Sequence, residues 1–401
     1  MITPHKRFFW ILVACFCATL LPIFILNLVL LSNTLGNYRK AQLASQWQQR
    51  TQGITYAPTL LDTHLFKTLR LNDRMAEINT VVLGSSTAMG ISQQALPSVF
   101  RTYNYAQSGH PLGAAIDEAT WLMAHTDNVM YLIIPLDWAL GFIYEKDDPA
   151  PTDLSATSAM RQVQSATKPI PLLDRMRDAL SYPRIASLLE IFKTILRAKD
   201  RMATFRGYFL QDGSDDYRCA DGIWARDFDI THRGTCTGFR FDGSATFAHR
   251  DPVKDAQSLI ISATMSDLRY ANRLMKGQGR PNPATLRRLA ALARQAERKG
   301  GKLLLFMPPL LPSMETEFIK HPVWSPHLMR TKQILSDWAV RESMVIFDAG
   351  QSEHFGCNAS EFVDEHHALS ACYDKVFSAF LNTHVRIDGS SIIWPQGGLY
   401  R

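Results

Sequence analysis

Two distant stretches of this chain carry side chains that could do chemistry together. The first is Val81-Val82-Leu83-Gly84-Ser85-Ser86-Thr87-Ala88-Met89-Gly90, in which a short apolar, mostly β-branched run enters a turn of small residues. That pattern predicts a buried parallel strand that delivers a hydroxyl at its carboxyl end, with a helix following. A serine on the first turn of a helix meets free backbone N–H groups and the positive end of the helix dipole, which can hold a developing oxyanion. Serine alone is a weak nucleophile and needs a base. The second stretch, Phe362-Val363-Asp364-Glu365-His366-His367-Ala368-Leu369-Ser370, offers one. Asp364 and His367 are three positions apart, close enough for a carboxylate at a turn to fix the imidazole tautomer that a Ser-His-Asp arrangement requires.

The elements that must bring these stretches together are legible as an α/β succession. After the strand that begins at Thr80, Ser92 to Val99 reads as helix. Arg101 to Gly109 is a second strand ending in a glycine turn, and Gly113 to His125 is helical. Val129 to Trp138 is a third strand, Lys302 to Pro309 a fourth and Ser343 to Asp348 a fifth. Helices are expected from Asn282-Pro283 to Gly300-Gly301, from Met329 to Val340 and from Ser370 to Leu381. Strands alternating with helices imply a five-stranded parallel sheet whose carboxyl ends share one rim, where ligands bind. Ser86, Gly109, Asp137 and the Asp364/His367 pair all fall at that rim. The expected organisation is an anchor over residues 1–35, a stalk and lead-in helix over 36–78, the α/β domain over 79–390 and a tail over 391–401. A large insertion follows the third strand, at about 145–264; within it Leu172 to Lys199 reads as helix and Asp212 to Asp251 shows no periodicity.

Composition narrows the class. Hydrophobic residues at 46% with 20% charged residues exclude a disordered chain, and a net charge of +6 is a mild basic bias only. The densest basic group, Arg287, Arg288, Arg294, Arg298 and Lys299, belongs to one helical segment and reads as a solvated face, so no nucleic-acid partner is expected. Phe8 to Leu31 carries no charge. At about 1.5 Å per residue it is long enough, as a helix, to cross a hydrocarbon core of roughly 30 Å. A single N-terminal transmembrane helix is therefore expected; a cleaved signal would have a shorter apolar region and a small-residue cleavage site. Cys15 and Cys17 lie in that span. The other four cysteines fall into two close pairs, Cys219 with Cys236 and Cys357 with Cys372, as an oxidising compartment would permit. Localisation in a bacterial inner membrane, with the main domain in the periplasm or outside the cell, follows as the expectation.

The order and spacing of the motifs resemble the SGNH or GDSL-type hydrolase superfamily. There the nucleophile is the third residue of a Gly-Asp-Ser loop after the first strand. Gly84-Ser85-Ser86 matches with Ser in place of Asp, which implies that Ser86 is the nucleophile. Asp364-Glu365-His366-His367 matches the family's Asp-x-x-His, implying His367 as base and acid and Asp364 as its orienting partner. Asn104 to Gly109 resembles the second block, so the N–H of Gly109 joins that of Ser86 in the implied oxyanion hole. Pro135-Leu136-Asp137-Trp138 stands where the third block, Gly-x-Asn-Asp, is expected. The fold implied is a three-layer flavodoxin-like sandwich. With an N-terminal anchor, the chain is similar to a narrower set, the D-alanine transfer protein of teichoic acids and the alginate-type O-acetylation proteins. That likeness implies O-acyl transfer, O-acetyl in the first instance, to an envelope or exported polysaccharide acceptor beside a polytopic membrane-bound O-acyltransferase partner. It implies no cofactor and no metal.

Plain readings stand beside these. Gly-Ser-Ser-Thr after a strand also serves as a tight turn and helix cap. Asp364, Glu365, His366, His367 and His354 contain metal-ligand types, yet adjacent histidines diverge on most backbones and no second group has zinc-like spacing. Asn104, His110, Asp137 and Trp138 are candidates for lining the substrate; an exposed loop histidine, a helix cap and a core Trp are the alternatives for the last three. An esterase, or a catalytically silent glycan-binding or scaffold module of an acyl-transfer complex, would use the same framework.

Overall fold

The computed structural model describes residues 6, 8–11, 41–56, 63–139, 141–144, 192–193, 195–202, 218–220, 238–246, 275, 277–388 and 391–400. Most of the expected transmembrane span, residues 12–31, lies outside them, as does most of the helix expected over 172–199. Among the described residues no helix is long and apolar enough to cross a membrane.

The strands are β1 (Ile54–Tyr56), β2 (Thr80–Val82), β3 (Thr102–Asn104), β4 (Tyr131–Pro135), β5 (Arg218–Ala220), β6 (Gly238–Phe239) and β7 (Ala245–Thr246), then β8 (Lys302–Met307), β9 (Val345–Asp348), β10 (Arg386–Asp388), β11 (Ser391–Ile393) and β12 (Gly398–Tyr400). Six of them form one parallel sheet in the order β12-β9-β8-β4-β2-β3. Parallel strands buried on both faces need near-continuous apolar sequence. Val81 to Leu83, Leu132 to Ile134, Leu303 to Met307 and Val345 to Phe347 supply it, and all are buried. The order is that of flavodoxin-like open sheets with one strand added, and its reversal point falls between β2 and β4, where such sheets open a crevice at their carboxyl ends.

The sheet thus has six strands, not the five expected. The sixth is Gly398–Tyr400, paired in parallel with β9 at the edge, where residues 391–401 were expected to be only a tail. Three residues that include a glycine carry no apolar run; the strand exists because β9 offers a free edge.

Helices α1 (residues 41–51) and α2 (Thr63–Arg74) precede the sheet, and α3 (Leu112–His125) lies between β3 and β4. After the insertion come α4 (Pro283–Arg298), α5 (Met314–Lys320), α6 (Ser325–Arg341) and α7 (Ser370–His384). The α4 N-terminus follows from sequence chemistry: Asn282 accepts from the N–H of Ala284 at 2.8 Å and proline opens the helix. Its basic face is partly tied down, with Arg288 on Asp117 at 2.7 Å.

Two expectations fail here for physical reasons. Ser92 to Val99 is not a helix but a short 3₁₀ turn at Gln93–Ala95, because Pro97 forces the preceding Leu96 into extended backbone. The described residues 41–56 and 63–74 are not a stalk: Ala41, Ala44, Trp47, Phe66 and Leu71 are in the main core. One of the glutamines that gave this stretch a polar look, buried Gln48, makes cross-links, donating to the carbonyls of Gly53 at 2.9 Å and Phe239 at 2.8 Å.

The described part of the insertion is knitted to this N-terminal segment. β5, β1, β6 and β7 form a second, antiparallel sheet in that order. The β6–β7 hairpin then reaches the main sheet, with the N–H of Ala245 on the carbonyl of Met89 at 2.8 Å and that of Asn104 on the carbonyl of Asp242 at 2.7 Å.

Candidate active site

Ser86 is placed by a turn that only a glycine can open. Gly84 has φ +121°, and a Cβ there would stand 2.5 Å from the Pro135 ring. Ser86 begins a 3₁₀ turn over Ser86–Ala88, capped by Ser85, so the expected α-helix is reduced to a single turn. Oxyanion stabilisation at this position would therefore rest on local N–H groups and not on a long helix dipole.

Asp364 and His367 sit on a tight excursion between Phe362 and Ala368, which pair as an antiparallel bridge. The N–H of Val363 bonds the carbonyl of His367 at 2.9 Å, and that of Leu369 bonds Glu361 at 2.8 Å. A disulfide between Cys357 and Cys372 closes the excursion at its base, with Cα atoms 5.1 Å apart. Cys219 is also disulfide-bonded; Cys236 lies outside the described residues. The excursion is pressed against the nucleophile turn: a Cβ on Gly90 would meet the Ala368 carbonyl oxygen at 2.4 Å.

The two stretches, 281 residues apart, meet. Ser86 Oγ is 2.8 Å from His367 Nε2, and His367 Nδ1 is 2.6 Å from Asp364 Oδ2. With Nδ1–H donating to the carboxylate, Nε2 is left to accept the Ser86 hydroxyl proton, which is the order a serine triad requires. The second oxygen of Asp364 accepts from the N–H groups of His366 at 3.1 Å and His367 at 2.9 Å. Burial alone would raise this carboxyl. The His367 hydrogen bond and the charges of both imidazoles outweigh it and hold the group well below the usual carboxylate range.

His366 is buried beside them. Burial opposes its protonation, but its hydrogen bond to Glu365 and the charges of Asp364 and Glu365 raise its pKa above the ordinary value. Contrary to the expectation that adjacent histidines diverge, the two rings are 4.1 Å apart. Asp364, His366 and His367 bring one donor atom each within 4.8 Å of one another. Both nitrogens of His367 are already committed to Asp364 and Ser86, so a cation there would compete with the triad.

Gly109 occupies a left-handed turn at φ +66°. The N–H of Gln107, two residues earlier, bonds the carbonyl of Gly84 at 2.8 Å, so this loop docks on the nucleophile turn.

The four residues expected to line the substrate are held in other contacts. Asn104 is fully buried and donates to the carbonyls of Ala88 at 2.8 Å, Met89 at 3.2 Å and Ile91 at 2.8 Å, bracing the chain just after Ser86. Trp138 is a core residue, edge-on to Phe318 at 5.4 Å. Asp137 is buried beneath the nucleophile turn, and its Oδ2 accepts from the hydroxyls of Ser85 and, at 2.7 Å, of Thr87. His110 is held elsewhere, its Nε2 3.0 Å from Glu118 Oε1. Sequence reading missed the Ser85-Thr87-Asp137 cluster; the available signal was a hydroxyl on each side of Ser86 and an acid at the end of the adjacent strand.

No family model matches this sequence, and no curated protein or solved structure matches it.

Proposed function

We propose that this protein is a serine acyl-transfer enzyme of the SGNH type, with Ser86 as nucleophile. The observation that carries the reading is the Ser86–His367–Asp364 chain of contacts, at 2.8 and 2.6 Å, on the rim of a parallel sheet at its reversal point. Ser86 Oγ attacks an acyl carbonyl while His367 Nε2 takes its proton. The N–H groups of Ser86 and Gly109 hold the oxyanion. Collapse breaks the bond to the leaving group, which takes the proton from His367 and leaves an acyl-serine. A sugar hydroxyl, or water, then repeats the sequence with His367 as base.

Transfer to an envelope or exported polysaccharide is favoured over hydrolysis by the apolar stretch at Phe8 to Leu31, which would anchor the domain beside a membrane-bound acyl donor. The Cys357–Cys372 disulfide supports an oxidising compartment such as the periplasm. A polytopic O-acyltransferase partner fits the same picture. The silent-module alternative would be favoured by a serine and histidine held apart, and these two are in contact.

The test is labelling of the full-length chain in detergent with a fluorophosphonate. Wild-type protein is expected to label, and Ser86→Ala and His367→Ala are not. A folded wild-type chain that does not label overturns the reading.

A further inference from the structure

We infer that Asp137 is the positioning residue of the nucleophile, gripping the two hydroxyls that flank Ser86 so that its Oγ points at His367. The inference rests on the catalytic reading above. One buried carboxylate oxygen, Asp137 Oδ2, takes both Ser85 Oγ and Thr87 Oγ1, and the two hydroxyls are themselves 2.8 Å apart. Ser86 lies between them in the chain, so its backbone is fixed on either side by side chains tied to one point. That point is rigid: Asp137 follows β4, which pairs in register with β2, the strand that delivers the turn. From the other side the Tyr373 hydroxyl, on α7, donates to the carbonyl of Thr87. The turn is thus held from the sheet below and from the helix that follows the catalytic histidine.

Nothing in local backbone preference requires this grip. A 3₁₀ turn of three residues is a weak element with poor hydrogen-bond geometry. Misplacement of a nucleophile by about 1 Å can cost on the order of 100-fold in rate. A carboxylate suits the role because it has no donor and can accept both hydroxyls at one oxygen. It remains out of reach of substrate, at 3% exposure. Burial raises its pKa, against the two hydroxyl hydrogen bonds and the charges of His366 and His367, which lower it.

The test measures fluorophosphonate labelling as a maximal rate and a half-saturating concentration, for chains whose thermal midpoints stay above the assay temperature. Asp137→Ala is expected to lose about 100-fold in maximal rate, with half-saturation within about threefold of wild type. Asp137→Asn, which keeps an acceptor oxygen, should recover much of that loss. Ser85→Ala and Thr87→Val should each slow the rate and add little further loss in the Asp137→Ala background, as partners of one grip do. A wild-type chain that fails to label overturns the catalytic reading and this one with it. A labelling wild type with Asp137→Ala within about threefold of it, or with losses that simply multiply, overturns the positioning role alone.

Discussion

Two histidine–carboxylate clusters among the described residues use the same side-chain types, and they differ in what the imidazole's outer nitrogen meets, which is what assigns one to the proposed chemistry and the other to structure. In the first, Asp364 takes Nδ1 of His367 and leaves Nε2 for Ser86. In the second, Glu118 on α3 lies 3.2 Å from His64 Nε2 and 3.0 Å from His110 Nε2. His64 Nε2 also meets the Tyr105 hydroxyl at 3.0 Å, and that hydroxyl meets Thr68 at 2.7 Å. Both clusters use the same residue types. The first presents its outer imidazole nitrogen to the glycine-opened turn on the sheet rim, where it meets the Ser86 hydroxyl. In the second, the Nε2 atoms of His64 and His110 both face an acid that is 1% exposed, which draws α2 and the loop after β3 together on α3. What the outer nitrogen meets, not the presence of the pair, is what fits a histidine to act as a base.

The largest effects should therefore divide cleanly between the clusters. Ser86→Ala removes the attacking atom and should abolish labelling by fluorophosphonate, while His64→Ala and His110→Ala should label at near wild-type rates. Those two should instead lower stability by about 1–3 kcal/mol in denaturant unfolding, the usual cost of leaving a buried polar group short of a partner. Asp364→Asn should retain the fold and lose roughly 10²–10⁴ in labelling rate, because an amide no longer selects the required tautomer. Glu118→Gln should show the reverse profile. A His110→Ala chain that labels as poorly as Ser86→Ala would collapse the distinction and bring the second cluster into the site.

The Ser86–His367–Asp364 arrangement was legible because its residue types and spacing are written locally. Val81-Val82-Leu83 must be buried, a glycine must open the turn after it, and Asp364 lies within reach of His367 whatever the rest of the chain does. The surrounding machinery was illegible because it is made by contacts between distant segments. Asp137 reads as a substrate-facing acid until the register of β2 and β4 puts it under Ser85 and Thr87. Trp138 and Asn104 look functional from their place at a strand end and prove to be packing and bracing. The tie between the insertion and the N-terminal segment had one unread signal, the Asp242-Gly243 pair, which is a hairpin dipeptide between Phe239 and Ala245. Gly243 has φ +80°, and a Cβ there would stand 2.3 Å from the Asn104 carbonyl oxygen, so this turn is also where the hairpin approaches the sheet.

A smaller effect tests how each cluster is kept rigid. The excursion that carries Asp364 and His367 is closed by the bridge between Cys357 and Cys372, a sequence separation of 15, whereas His64, His110 and Glu118 rest on helix packing. Closing a loop of that length contributes about 3 kcal/mol in the chain-entropy account. The Cys357→Ser/Cys372→Ser chain should lose stability of that order. Its labelling rate should also fall, since the Phe362–Ala368 bridge loses its base. Unchanged labelling at a temperature where the variant is folded would show that the Gly90–Ala368 and Tyr373–Thr87 contacts hold the excursion without the staple.

The smallest effect is in the pH dependence of stability, and it separates the clusters by sign. Glu118 is buried, which would raise its carboxyl, but the His110 charge and the hydrogen bonds from His110 and His64 bring it below the ordinary value. A carboxyl depressed in the folded state gives stability that is present above the unfolded pKa, about 4.3, and lost as pH falls toward the folded one. His366, in the first cluster, is raised. Its contribution is complete below about 6.5 and disappears as pH rises through the higher folded value. Glu118→Gln should therefore flatten the acid limb of the unfolding free energy, between about pH 5 and 3, by up to one proton of slope. His366→Gln should flatten the limb above about pH 6.5 and leave the acid limb nearly as it was. Measured unfolding curves in which Glu118→Gln leaves the acid limb unchanged would mean that its two histidines do not hold the carboxylate ionised, and the second cluster would need another account.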